Sequence, residues 1–226
     1  MSVLGRAALA MWWSMAPEMR AEFEHWHAHE HFPERLGIPG FLRAARWTAA
    51  DGGEGIFVMY ELRDHDVLSS APYLERLNAP TPWSTRLMPH HRDMVRSQCH
   101  VLESRGGAVA RHALTIRLSP AAGQADRLRP ALALLAGEAM LAPGIVGMHL
   151  LRHEAPAIAA TQEQKIRGGD AVADWVLVTC GYDAQALEAL SASRLSEQAL
   201  AEIGAAAGAV RALYTLAQAA TPPEMT

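Results

Sequence analysis

Four histidines and two glutamates fall within eleven positions of the chain, in the segment HWHAHEHFPER at 25–35. Imidazole titrates near neutral pH, so such a cluster is equipped for proton transfer or for metal ligation. Residues four apart share a helix face, which pairs His27 with His31, His25 with His29 and Trp26 with Glu30. The two histidine pairs point in different directions, so one continuous helix cannot bring all four to a single pocket. His31 is the leading candidate for proton transfer, with Glu30 orienting it or shifting its pKa and His27 on the same face. His25 and His29 read as solvated. Pro33 disfavours helix at Phe32 and resets the turn there, which places Glu30 and His31 near a helix end at the entrance to a strand.

A second stretch, PHHRDMVRSQCH at 89–100, alternates Arg92, Met94, Arg96, Gln98 and His100 against Asp93, Val95, Ser97, Cys99 and Val101. The second set has core character, and the first suits a polar surface or a cavity wall. On a cavity wall Arg92 and Arg96 could hold a carboxylate or enolate oxygen, but they read first as a solvated edge, while His90 and its neighbour His91 lie where they could face the same mouth as His31. Tyr60 would orient a substrate oxygen if it faces a cavity. Trp12, Trp13, Trp47 and Trp83 offer apolar walls for an aromatic substrate, and Arg46 offers a cation.

A metal is weighed and not adopted. HAHEH lacks the H-E-x-x-H order that places a base between two zinc ligands, and a third ligand would have to come from elsewhere, such as His90. G-x-G-x-x-G, the P-loop and the G-x-S-x-G elbow are absent from the sequence.

The elements that would carry these residues occur twice. GIPGFLRAARWTAA (37–50) and LAPGIVGMHLLRHEA (141–155) each hold a Pro-Gly turn followed by a run of strand character. Each is preceded by an extended apolar segment and a helical stretch. GIFVMYEL (55–62) alternates with period two, and ADWVLVTCGYD (173–183) is its counterpart. Helical segments follow, SAPYLERLN onward and 184–206, then closing strands at 92–102 and 209–219. Each half thus reads strand, helix, strand, strand, helix, strand, the ferredoxin-like plan. The expected class is α+β, with one unit at 1–105 carrying the histidine-rich motif and another at 108–226 lacking it. QEQKIRGGD (162–170) reads as a long polar loop. One such unit would leave a whole apolar sheet face bare, so the two faces should close on each other as a barrel.

Composition narrows the function. Of 226 residues, 50% are hydrophobic and 19% charged, with a formal net charge of −4, which gives no footprint for nucleic acid or an anionic membrane. Two cysteines in apolar runs exclude a disulfide framework and suit a cytoplasmic setting. No run approaches the ~20 apolar residues of a membrane span.

The tandem plan, with EFEHWHAHEHFPERLGIPGF as the helix end and strand entry, resembles the dimeric α/β-barrel superfamily and within it the EthD-like branch. That resemblance implies lyase, cyclase or isomerase chemistry on an aromatic or polyketide-like substrate in a barrel cavity. Oxygenases, haem-dependent or cofactor-free, occur in the same superfamily, with His149 or His153 competing for a haem. The expectation is a cofactor-independent enzyme using His31, Glu30, His27 and Tyr60, with His90, Trp13, Trp47, Arg46 and Trp83 binding substrate. A non-catalytic ligand-binding or stress-response protein is the rival, and homodimerisation through outer surfaces stays open.

Overall fold

The structure is a computed structural model and describes residues 2–222. Its first half runs β1 (Ala7–Met15), α1 (Arg20–Trp26), a π-helical turn (His27–His31), α2 (Phe32–Leu36), β2 (Phe41–Ala49) and β3 (Gly55–Leu62). It ends with α3 (Ala71–Asn78), α4 (Pro82–Leu87) and the long β4 (His91–Gly106). The second half follows with β5 (His112–Leu118), α5 (Ala125–Ala139), β6 (Ile145–His153), α6 (Gln162–Arg167) and β7 (Trp175–Gly181). The last elements are α7 (Ala184–Ala192), α8 (Glu197–Glu202) and β8 (Val210–Ala220). The expected helix over 184–206 is therefore two, broken where Ser196 caps α8 by accepting from Ala199 N.

All strand pairs are antiparallel, and they close in the order β1-β3-β2-β8-β5-β7-β6-β4. The period-two pattern gives every strand two faces. One face of all eight strands fills the barrel: Trp12, Trp47, Phe57, Met59, Cys99, Leu151, Val178 and Tyr214 lie in one buried cluster. Trp12 and Trp47 each stack on Phe57 with ring centroids 5.1 Å apart, so aromatic bulk occupies the barrel axis. The outer face of β1 and β3 meets α1 and α3 in a second cluster, and the outer face of β5, β6 and β7 meets α5 and α7 in a third. The chamber expected between the two sheets is thus solid core, and any cavity must lie outside the barrel wall. No helix among the described residues is long and apolar enough to cross a membrane.

Three local departures position the site. At the π-helical turn the Phe32 N–H bonds the carbonyl of His27, five residues back, so the helix continues into Pro33 instead of ending. In β4 the pairing with β1 shifts between Trp12↔Val95 and Ser14↔Arg92, leaving one extra residue on β4. Asp93 absorbs that bulge with φ 56°. Finally, α6 is a helix where a loop was expected. Thr161 and Gln164 form a capping box, Gly168 closes the other end in the left-handed region, and the segment lies against the first half.

Candidate functional site

A cavity sits between the outer face of β1, β3 and β4 and the helices above them. Its walls are Leu9, Met11 and Trp13 from β1, Val58 and Tyr60 from β3, and Met94 and Arg96 from β4. Over them lie Trp26, His27, His31 and Arg35 on one side and Tyr73, Leu77, Met88 and His91 on the other, with Glu163 and Arg167 of α6 closing the rim. The atom-free space is about 470 Å3, of which about 30 Å3 admits the centre of a water-sized sphere. That holds on the order of two waters, so a larger ligand must displace side chains. Met11, Met88 and Met94 are the adaptable ones.

The π-helical turn turns His27 and His31 inward together while His25 and His29 stay exposed. Both inward rings are buried, with centroids 5.4 Å apart, and His31 lies 4.4 Å from the Trp26 ring. Burial and the neighbouring guanidinium groups, Arg46 for His27 and Arg35 for His31, hold both imidazoles well below their ordinary pKa. His91, opposite Met15, joins them from β4. Its Nδ1 lies 3.1 Å from the Met88 carbonyl, which fixes the proton on that nitrogen and leaves Nε2 as the lone-pair nitrogen. Burial pushes the His91 pKa down to about 4. All three imidazoles are therefore neutral at pH 7.

Eight buried side-chain polar atoms lack a hydrogen-bond partner among the described residues, and four of the eight belong to cavity walls: Trp13 Nε1, His27 Nδ1, His31 Nδ1 and the Tyr60 hydroxyl. Buried polar groups in native proteins are nearly always bonded, so these four atoms call for partners inside the cavity, whether water or a ligand.

Several expected residues lie elsewhere. The Glu30 carboxylate does not orient His31, because it accepts from Trp26 Nε1 at 2.9 Å, Thr81 Oγ1 at 2.5 Å and Ser84 Oγ at 3.4 Å, tying α1 to α4. The carboxylate near His31 is that of Glu34, 3.9 Å from Nδ1. Trp47 is inside the barrel, donating to the Ala110 carbonyl at 3.3 Å. Trp83 packs on the helix surface beside His25 and donates to Glu22 at 3.2 Å. Arg46 lies over the Phe23 ring behind the cavity wall. His90 is half-buried and off the cavity, its expected place being taken by His91. His149 faces the barrel interior with Nδ1 bonded to Ser104 Oγ and Nε2 to the Gly107 carbonyl, and His153 bonds the Gln98 backbone.

Sequence reasoning missed Arg35, Tyr73, Glu163 and Arg167, and preferred the solvated reading of Arg96. For α6 a signal existed, since Thr161-x-x-Gln164 is a capping-box spacing. For Arg96 the alternation was right and only the solvated reading was wrong. Arg35 bonds Glu163 across the two halves and Glu34 at 3.1 Å, while Arg167 holds Asp170 at 2.8 and 2.9 Å and lies 3.6 Å from Glu163. No group of three or more His, Cys, Asp and Glu side chains placed to hold a metal ion occurs among the described residues.

No family model and no curated protein matches this chain. Solved structures do. An anthrone oxidase-like protein superimposes with a TM-score of 0.66 at 12% identity, covering 100% of this chain and 98% of its own. A Lactobacillus acidophilus protein named as a monooxygenase gives 0.62 at 10% identity, with 96% and 97% covered. A haem-binding protein from Thermus thermophilus gives 0.52 at 10% identity, with 95% and 92% covered. At such identities the likeness concerns the fold.

Proposed function

We propose that the chain is a small-molecule enzyme that moves a proton on an enolisable or phenolic aromatic substrate bound in this cavity. The observation that carries the reading is the ring of unpartnered polar atoms, Trp13 Nε1, His27 Nδ1, His31 Nδ1 and Tyr60 OH, around one buried space. His31 takes the proton. Among the three imidazoles it alone has a carboxylate within 4 Å, Glu34, whose charge stabilises the imidazolium once formed. Burial raises the Tyr60 pKa, keeping its hydroxyl protonated as a donor to the oxygen where negative charge develops. The lone-pair nitrogen of His91 accepts from a substrate hydroxyl. Return of the proton from His31 to another substrate atom completes an isomerisation or cyclisation and restores the neutral ring. The helix-end motif supports an EthD-like placement of this site within the superfamily.

A second reading uses the same first step. The carbanion left by proton removal bonds dioxygen at that carbon, and the protonated hydroperoxide loses water to leave a carbonyl, a reaction type that the names of the anthrone oxidase-like and monooxygenase neighbours suggest. A haem does not fit the histidines considered for it: both ring nitrogens of His149 are bonded within the protein, His153 bonds the Gln98 backbone, and the space under α5 is filled by Leu114, Leu128, Leu132 and Leu177. If the cavity only held a ligand, His31 would be dispensable for turnover.

The test follows α-proton exchange of enolisable aryl ketones, from acetophenone to anthrone, in deuterated water by NMR, with oxygen uptake recorded in parallel. His31→Ala is expected to lower exchange by about 10²–10⁴-fold while ligand affinity is retained. Unchanged exchange removes the assignment. Oxygen uptake that depends on His31 selects the second reading.

A further inference from the structure

Three guanidinium groups reach the cavity, and two of them are paired with carboxylates: Arg35 with Glu34 and Glu163, Arg167 with Glu163 and Asp170. Arg96 is not. It is 4% exposed, and no carboxylate among the described residues makes an ion pair with it. Among the same residues its one side-chain hydrogen bond is donated from Nη2 to the Tyr73 hydroxyl at 2.8 Å. Tyr73 is itself buried, and its ring lies 5.9 Å from the Arg35 guanidinium carbon.

A buried cation without a counter-charge is costly, and proteins keep one where something else supplies the charge. The backbone holds Arg96 firmly in place. Its N–H donates to the Ala171 carbonyl at 2.8 Å, and the Ala171 N–H donates to the Met94 carbonyl at 2.9 Å, so the segment carrying α6 is stitched to β4 at this residue. Opposite it on β1 is Met11, another cavity wall. The guanidinium is thus a fixed fork of donors, with one prong tied to Tyr73, at the edge of a space bounded by aromatic rings.

We infer that Arg96 seats a carboxylate carried by the aromatic ligand, apart from the oxygen that His31 and Tyr60 act upon. This rests on the reading of the cavity as a substrate site and deepens it to aryl carboxylates. A planar carboxylate matches the free edge of the fork, and Tyr73 keeps that edge turned inward. The ligand then completes an ion pair that the protein leaves half-built, and its ring fills the apolar part of the cavity.

The experiment titrates benzoate and its uncharged isostere benzamide against the full chain, following the fluorescence of Trp13 and Trp26, both in the cavity wall. Wild type should bind benzoate about tenfold or more tightly than benzamide, given a buried charge-assisted fork. Arg96→Met should abolish that preference by weakening benzoate far more than benzamide. Its melting temperature should change little, the lost bond to the Tyr73 hydroxyl being offset by relief of the unpaired charge, and benzoate should no longer raise it. Arg96→Lys, which keeps the charge and loses the fork, should weaken benzoate several-fold and benzamide less. It decides the matter if the methionine variant does not fold. Benzamide binding as tightly as benzoate to wild type, neither probe binding, or an unchanged ratio in both variants would overturn the carboxylate seat. The first of these results leaves the proton-transfer reading standing, since that is judged by exchange at His31.

Discussion

His27, His31 and His91 are imidazoles kept neutral by their surroundings, and this has a sign that can be followed in stability. In the unfolded chain each titrates near 6.5, whereas in the folded protein His91 does so at about 4 and the other two well below their ordinary value. Between those limits the unfolded chain holds protons that the folded one refuses. Stability is therefore complete above about pH 6.5 and is lost as pH falls toward 4. For His91 alone the interval amounts to roughly 3 kcal/mol, at about 1.4 kcal/mol per pH unit. Urea denaturation at pH 7, 6 and 5 should show the midpoint falling before most carboxylates titrate. His91→Asn should remove about one proton from that slope. A midpoint that ignores pH over this range would mean that the rings take up protons in place. The same depression carries into catalysis, since the acid limb of kcat/KM should lie below the ordinary imidazole value.

At the scale of elements, two irregularities make the site out of regular ones. The π-helical turn presents His27 and His31 side by side, and the bulge at Asp93 exchanges Arg92 for His91 at the cavity face. Strict alternation counts back from Met94 to Arg92 and His90, which is why the sequence points to His90. The inserted residue leaves no mark in the composition, because Asp tolerates the left-handed region and no glycine is needed to flag it. The strands themselves were legible from period two, which is local patterning, whereas the helix end expected before Pro33 is absent because the π-helical turn carries the helix on to Leu36. The bulge is testable. Asp93→Gly, relieved of its β-carbon, should change stability by no more than about 0.5 kcal/mol, whereas Asp93→Val should cost about 1–2 kcal/mol. Deleting Asp93 should straighten β4 and turn His91 away from the cavity, so that its NMR titration returns toward the ordinary imidazole range. If His91 keeps its low pKa after the deletion, the bulge does not aim it.

For the whole molecule, closure of eight strands was foreseeable from two apolar sheet faces needing cover, but the location of the empty space was not. Both faces of β1 and β3 are apolar, Trp12 and Phe57 on one and Trp13 and Tyr60 on the other, and alternation alone cannot say which meets helices. The aromatic bulk at the axis decides it, leaving the void under α1. Closing that void requires the second half, because α6 reaches back over β4 and pairs Glu163 with Arg35. Both partners are nearly inaccessible, and each keeps a second ion-pair partner, Glu34 for Arg35 and Arg167 for Glu163, so removing one weakens a buried network at a cost of about 1–3 kcal/mol. Glu163→Gln should lower stability by that order in denaturant titrations. Arg35→Met combined with Glu163→Leu should recover a good part of it, since the apolar pair strands no charge. The control is Glu138→Gln, which breaks the half-exposed pair with Arg194 and should cost at most about 1 kcal/mol. A Glu163→Gln loss no greater than the control would mean that α6 rests on the cavity without clasping it, and that the two halves are held by the barrel alone.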